Sequence, residues 1–189
     1  KVFDAYGQRF PLLIKLIDAN EDLSIQVHPG DALAAERHNS FGKTEMWYAL
    51  DGDKDATLIS GFVPGVDKES YLKHLDDGTL EQIMNYIPIA KGDVFFIPSG
   101  RVHAIGRGGL IAEIQQASDV TYRLFDFNRK DHEGNTRELH TEHALDAIDF
   151  TYVKDAKTHP KAQDNVPCEL VKCNYFTTNL IELTDKLER

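Results

Sequence analysis

The sequence holds little cysteine: two residues in 189, Cys168 and Cys173, with four residues between them. Neither has a Cys or His partner at zinc-finger spacing, so a disulfide scaffold or a zinc finger is disfavoured and two reduced structural thiols in a cytoplasmic protein are expected. Long apolar runs are missing too. No window approaches the ~18 uninterrupted apolar residues of a membrane-spanning helix. The opening KVFDAYGQRFPLLIKL breaks its apolar residues with Asp4, Arg9 and Lys15, and it lacks the continuous core and small-residue cleavage site of a signal peptide. No Met stands at position 1, and the expectation is a sequence that begins inside a longer chain. Positive charge is short as well, with 21 Lys and Arg against 31 Asp and Glu for a formal net charge of −10. That balance argues against nucleic-acid binding, which needs a basic surface to neutralise phosphates. A small anionic ligand is still allowed, because a few converging Lys and Arg suffice.

What is present fits one well-buried domain, or one domain with an appendage, at ordinary globular composition. Short runs rich in β-branched and aromatic residues recur between turn signals: FPLLIKLID, LSIQVH, EMWYAL, ATLISGFV, DVFFIP, GLIAEIQQ and VTYRLFDF. This rhythm predicts a mainly β chain folded as a sandwich or barrel. Residues 67–87 break it with Tyr71, Leu72, Leu75, Leu80, Ile83 and Met84 at helical spacing and Gly78 as a break, predicting a small helical excursion. A second helix is expected near 137–149, where Leu139, Ala144, Leu145 and Ile148 form an apolar stripe. The polar, Pro-containing stretch that follows predicts a linker over 151–165, dividing a domain at 1–150 from strand-like sequence at 166–189. No internal repeat or low-complexity segment is found.

Two stretches carry chemistry. In LSIQVHPGD, strand alternation projects Gln26 and His28 to one side and Ile25 and Val27 to the other, so two polar heads converge ahead of a Pro-Gly turn. In GDVFFIPSGRVHAIG, Gly92, five residues, Pro98-Ser99-Gly100 and two more residues lead to His103. That layout resembles the second motif of the cupin superfamily at each fixed position up to the histidine, with Arg107 where an Asn is customary. The first cupin motif is matched by Gln26-Val27-His28, then Glu45, six residues and Gly52. Two features depart from it: Gln26 replaces a His, and sixteen residues separate His28 from Glu45. A solvated Glu45 would bring Trp47 out of the core with it, since alternation puts them on one face.

These departures, with SIQVHPGD, GKTEMWY, FFIPSGRVHAIG and EIQQASDVTYRLFDFNR, resemble the type I mannose-6-phosphate (phosphomannose) isomerase family in its short bacterial form, over roughly residues 10–150. The resemblance implies a cupin jelly-roll β-barrel or sandwich, with 1–150 its metal-binding domain and 166–189 the start of a second, truncated β-domain. It implies one divalent ion, zinc, on Gln26, His28, Glu45 and His103. The donor chemistry alone, mixed N and O of borderline hardness, equally suits Fe, Mn, Co or Ni. The implied reaction interconverts mannose 6-phosphate and fructose 6-phosphate through an enediol or enediolate, in a cytoplasmic monomer or homodimer without membrane or nucleic-acid partners.

Lys43 lies two residues before Glu45, so on a strand it shares that face; a snorkelling surface lysine is the alternative. By resemblance, Glu113 is an acidic site residue and Arg123 a catalytic arginine, with Lys43 a third catalytic candidate, although Glu113 and Arg123 could simply pair with each other. Ser24, Lys43 and Arg123 are candidates for holding the substrate's phosphate. Asp119, Asp126, Asn128 and Arg129 are expected to support Arg123, and the remaining histidines to lie on the surface. Other readings stay open: a non-catalytic sugar-phosphate-binding or regulatory cupin, and an iron-dependent cupin dioxygenase.

Overall fold

In the computed structural model, which describes residues 10–184, the chain is mainly β and builds two five-stranded antiparallel sheets. The expected ends, 1–9 and 185–189, lie outside the described residues. The first sheet runs in the order β1 (Leu12–Asp18), β8 (Gly109–Gln116), β3 (Glu45–Gly52), β6 (Val94–Ile97), β10 (Lys157–Thr158). The second runs β5 (Met84–Pro88), β4 (Thr57–Phe62), β7 (His103–Ile105), β2 (Ile25–Val27), β9 (Tyr122–Phe125). Successive strands alternate between the two sheets from β1 to β4 and from β5 to β10, and β4 and β5 pair as neighbours within the second sheet.

Period-two patterning explains the layers. In GLIAEIQQ of β8, Ile111, Glu113 and Gln115 are buried while Leu110, Ala112 and Ile114 are half-buried. Between the sheets Trp47, Ala49, Leu58, Phe95, Ile97, Ile105 and Ile111 form an apolar core. The opposite faces of the second sheet's strands present Ile25, Val27, Ile59, Ala104, Tyr122 and Leu124. That face is covered by α2 (Lys68–Asp76) and α3 (Thr141–Ala147), which contribute the buried Tyr71 and Ala144. α1 (Asp31–His38) follows β2.

The helical excursion at 67–87 is shorter than its apolar spacing predicts. α2 starts on a capping box between Asp67 and Ser70, Gly78 turns at a φ of 66°, and a 3-10 turn over Leu80–Ile83 follows. Met84 then leaves as extended backbone, and β5 pairs with β4 because Tyr86 and Ile87 gain a ladder that a further helical turn would not provide. The helix expected near 137–149 is trimmed at its start. Arg137 bonds Asp126, and Glu138 and His140 bond Arg123, so these residues are drawn out of helical geometry and Leu139 is exposed.

Within 151–165, Lys157–Thr158 pair with β6, and Lys157 and His159 both contact the buried carboxylate of Asp93. Burial alone would raise that carboxyl's pKa, but hydrogen bonds from Lys157, the Ala90 N–H and His159 hold it below the ordinary value. The strands β11 (Cys168–Lys172) and β12 (Thr177–Leu180) form a hairpin. Phe176 between them plugs the outer face of the first sheet against Met46 and Val94. Tyr175 donates to Asp31 at 2.8 Å. Both cysteines are free.

Candidate metal centre

Three strand positions bring His28, Glu45 and His103 together. His28 follows β2, Glu45 opens β3 and His103 opens β7, and the register sets Gln26 directly opposite His103. All three are essentially excluded from solvent. One ligand atom from each lies within 4.8 Å of the others. The two imidazole Nε2 atoms are 3.1 Å apart. Glu45 Oε2 is 3.6 Å from His28 Nε2, and Glu45 Oε1 is 3.4 Å from His103 Nε2.

The outward ring nitrogens settle the tautomers. His28 Nδ1 lies 3.0 Å from Val120 O and His103 Nδ1 lies 2.8 Å from Arg101 O. A carbonyl only accepts, so each Nδ1 carries the proton and each Nε2 presents a lone pair. The Nε2–Nε2 approach is therefore a meeting of two acceptors. Neither oxygen of buried Glu45 has a hydrogen-bond partner; the closest cation, Lys43 Nζ, sits 3.3 Å from Oε2 as an ion pair. Lone pairs and an anion converging without a proton between them fit a divalent cation, whose bonds to such N and O donors are about 2.0–2.2 Å.

Electrostatics point the same way. Burial, then the charges of Lys43 and His103, push the His28 pKa well below its ordinary value. Burial lowers His103 to about 4, outweighing its bond to the Arg101 carbonyl. Both imidazoles are thus neutral near pH 7, as ligands must be. Burial raises Glu45 to about 7; the Lys43 charge opposes this and the Glu113 charge adds to it. A buried carboxyl whose pKa stays raised even beside Lys43 is one that a further cation would stabilise in its ionised form.

Gln26 completes the ring. Its amide nitrogen is 3.3 Å from His103 Nε2, while its oxygen accepts from Ser24 Oγ at 3.4 Å. Turning the amide over keeps the same atomic positions, sends the oxygen towards the cluster and lets the NH₂ donate to Ser24. With the oxygen inward the set becomes two imidazoles, one carboxylate and one amide oxygen.

A second layer surrounds it. Trp47 packs edge-on against His103 at 5.4 Å between ring centres and donates from Nε1 to Glu113 Oε2 at 3.0 Å. Lys15, directly opposite Glu113 in the β1–β8 register, donates to Glu113 Oε1 at 2.7 Å and to Gln115 Oε1 at 2.6 Å. Burial would raise Glu113, but the charge of Lys43 and the bond from Lys15 hold it below the ordinary carboxylate value.

Arg123 stands opposite Gln26 across β2 and β9. Its Nη1 donates to Glu138 O at 2.8 Å, and its buried Nε has no hydrogen-bond partner.

The expected site residues Ser24, Gln26, His28, Lys43, Glu45, His103 and Glu113 thus gather at one end of the space between the sheets, while Arg123 lies beside Gln26 in the strand register with its guanidinium bonded to the Glu138 carbonyl. Glu113 pairs with Lys15 instead of Arg123. Asp126 binds Arg129 and Arg137, whereas Asp119 is exposed and Arg123 is held by Glu138 and His140. The surface reading fails for His140, which is half-buried and bonded to Arg123. Lys15 escaped the sequence reading, although a lone charge alternating with Leu13 and Ile17 in LLIKLID was its signal.

Residues 1–60 match the family described as Phosphomannose isomerase type I, catalytic domain. The chain is 42% identical over 174 residues to mannose-6-phosphate isomerase ManA of Bacillus subtilis (strain 168), covering 90% of this chain and 55% of that protein. It is 44% identical over 151 residues to mannose-6-phosphate isomerase of Streptococcus mutans, covering 80% of this chain and 47% of that one. The crystal structure of the mannose 6-phosphate isomerase from Bacillus subtilis superposes with a TM-score of 0.81 at 37% identity, over 90% of this chain and 55% of that chain. This chain spans about half the length of these relatives.

Proposed function

We propose that this chain, 42% identical over 90% of its length to a protein named mannose-6-phosphate isomerase, is the metal-binding part of an aldose–ketose isomerase interconverting mannose 6-phosphate and fructose 6-phosphate. The observation that carries this reading is the dry convergence of His28, Glu45 and His103 in a chain 42% identical to a protein of that name. No observation favours dioxygen chemistry or ligand binding without catalysis.

We assign Gln26, His28, Glu45 and His103 as ligands of one divalent ion, zinc. Bound there, zinc would supply Lewis acidity to the sugar's neighbouring carbonyl and hydroxyl oxygens. The chain's own residues handle the rest. Isomerisation moves a proton from C2 to C1 by way of an enediol or enediolate and needs an acid–base group within reach. Glu113 is ionised at neutral pH and Lys43 sits beside Glu45, so these two are the candidates to take up and return it. Arg123, with its unpartnered Nε, offers a planar cation to the phosphate or to the enediolate oxygens, and Ser24 and Lys43 add a hydroxyl and a second cation. The low solvent exposure of this set keeps water from competing for the proton and strengthens each charge interaction.

In the same reading, residues 1–150 form the metal-binding domain, 151–165 the linker and 166–189 the start of a second β-domain. The protein works in the cytoplasm as a monomer or homodimer; no helix among the described residues is long and apolar enough to cross a membrane.

The test is a coupled assay of mannose 6-phosphate conversion with the full-length protein, before and after chelation and after zinc is returned. Activity lost on stripping and restored by zinc is expected. A folded, zinc-loaded, full-length protein that does not turn over the sugar phosphate would overturn the proposal.

A further inference from the structure

β9 is the outermost strand of the second sheet, so among the described residues its outer edge has no strand to pair with. An edge strand leaves every second N–H and C=O unpaired unless something covers them. At Arg123 one residue does. The His140 N–H donates to Arg123 O at 2.7 Å, and the Arg123 N–H donates to His140 Nδ1 at 3.2 Å. This reciprocal pair is what an antiparallel neighbour would offer, with an imidazole nitrogen in place of a carbonyl. Two residues earlier, Glu138 O accepts from Arg123 Nη1 at 2.8 Å. The segment 138–140 therefore grips the backbone and the guanidinium of the same residue.

His140 is anchored in its turn. It is the residue before α3, its carbonyl accepts from the Ala144 N–H at 2.9 Å, and Ala144 is fully buried against the helix-covered face of the sheet. Its ring lies 6.4 Å from that of Tyr122, the residue preceding Arg123. This anchoring explains why α3 begins at Thr141, although its apolar stripe starts at Leu139.

We infer that His140 is a positioning residue for Arg123: its backbone and imidazole replace a missing strand partner and fix how the guanidinium is presented beside Gln26. The inference rests on the reading of Arg123 as the cation that meets the sugar phosphate. Water could satisfy the same two backbone groups, but it would leave strand and side chain free to drift. An error of about 1 Å in placing such a group can lower a rate about 100-fold.

The decisive comparison is His140→Ala against His140→Asn, because the Asn side-chain oxygen falls near the Nδ1 position and restores an acceptor for the Arg123 N–H. With the full-length, metal-loaded protein, His140→Ala is expected to lower kcat for mannose 6-phosphate by about 10- to 100-fold, with a smaller change in KM and unchanged metal content. His140→Asn should recover most of kcat. Independently of activity, hydrogen exchange at the Arg123 amide should quicken in His140→Ala and slow again in His140→Asn. An unchanged kcat in His140→Ala, or an Arg123 amide as protected as in the parent, overturns the inference. If the parent enzyme does not isomerise the sugar phosphate, the functional reading fails, while the exchange experiment still decides whether His140 holds Arg123. Should His140→Ala not fold, His140→Phe keeps a ring against Tyr122 but has no acceptor, and it takes the same place in the comparison.

Discussion

The space between the two sheets has a polar end and an apolar end, and the same strands build both. β7 gives His103 to the one and Ile105 to the other; β8 gives Gln115 and Glu113, then Ile111; β3 gives Glu45, then Trp47 at the boundary, then Ala49. A step of two residues, about 7 Å along a strand, keeps the side chain on the inward face while moving it from ion chemistry to a hydrocarbon core. The faces follow from alternation, and the chemistry follows from depth. The two ends also differ in what holds them. The side chains of the apolar end are held by burial of hydrocarbon. The polar end gathers a carboxylate without a hydrogen-bond partner, its charge met only by Lys43, and two opposed lone pairs, an arrangement that a cation would satisfy.

If that division is right, substitutions at the two ends should separate binding from stability. The largest effect is expected from Glu45→Gln or His103→Ala. Each should abolish stoichiometric zinc binding, measured by metal analysis, and lower kcat/KM by roughly 10²–10³-fold or more, the scale of losing a stabiliser of developing charge. Without metal, Glu45→Gln removes a carboxyl that burial penalises but leaves the buried Lys43 without its ion-pair partner, so no gain in stability over the parent is expected in denaturant titrations. A Glu45→Gln protein that keeps a tightly bound ion would break the comparison.

At the other end, Ile111→Ala removes a fully buried side chain from the apolar core and should cost about 3 kcal/mol of stability in denaturant titrations. Zinc stoichiometry should stay as in the parent. Loss of metal binding in a folded Ile111→Ala protein would show that the two ends are one unit.

A smaller effect sharpens the polar end. Glu45 stands at about 7 in the chain without metal, raised chiefly by burial. A cation must therefore displace its proton below that pH and finds it already ionised above. Zinc affinity should rise with pH and level off above about 7, with about one proton released per ion at pH 6 by calorimetry in buffers of different ionisation heat. The linkage for stability has the opposite sign. A carboxyl whose pKa is raised on folding stabilises the metal-free chain at low pH, and that contribution is lost as pH rises towards 7. His103, lowered to about 4, opposes it, because its unfolded state takes up a proton first and stability falls as pH drops below its ordinary value. Glu45→Gln should remove the opposing carboxyl contribution and steepen the loss of stability as pH falls.

Much of this was legible in the sequence. The β-rich rhythm gave the layers, and the fixed spacing from Gly92 to His103, with Gln26, His28 and Glu45, gave the cluster that the structure brings together. Lys15 was hidden because its meaning depends on the β1–β8 register, which places it opposite Glu113 from nearly a hundred residues away in the chain. His140 was hidden for a similar reason: on a helical wheel it is one more polar residue, and only the sheet order shows that it faces an open strand edge. The early end of the helical excursion reflects a competition that local spacing cannot settle, since Met84 suits either a helix face or a strand.

By itself the sequence determined which residues alternate inward, where the turns fall and which donors stand at ligand spacing, because those features depend on periods of two and on local turn chemistry. Tertiary structure alone decided that two histidines present lone pairs to each other, that Glu45 is left without a hydrogen-bond partner, and that Lys15 and His140 close on Glu113 and Arg123. These outcomes depend on strand register and on carbonyls such as Val120 and Arg101, whose hydrogen bonds become fixed only when distant segments pack together.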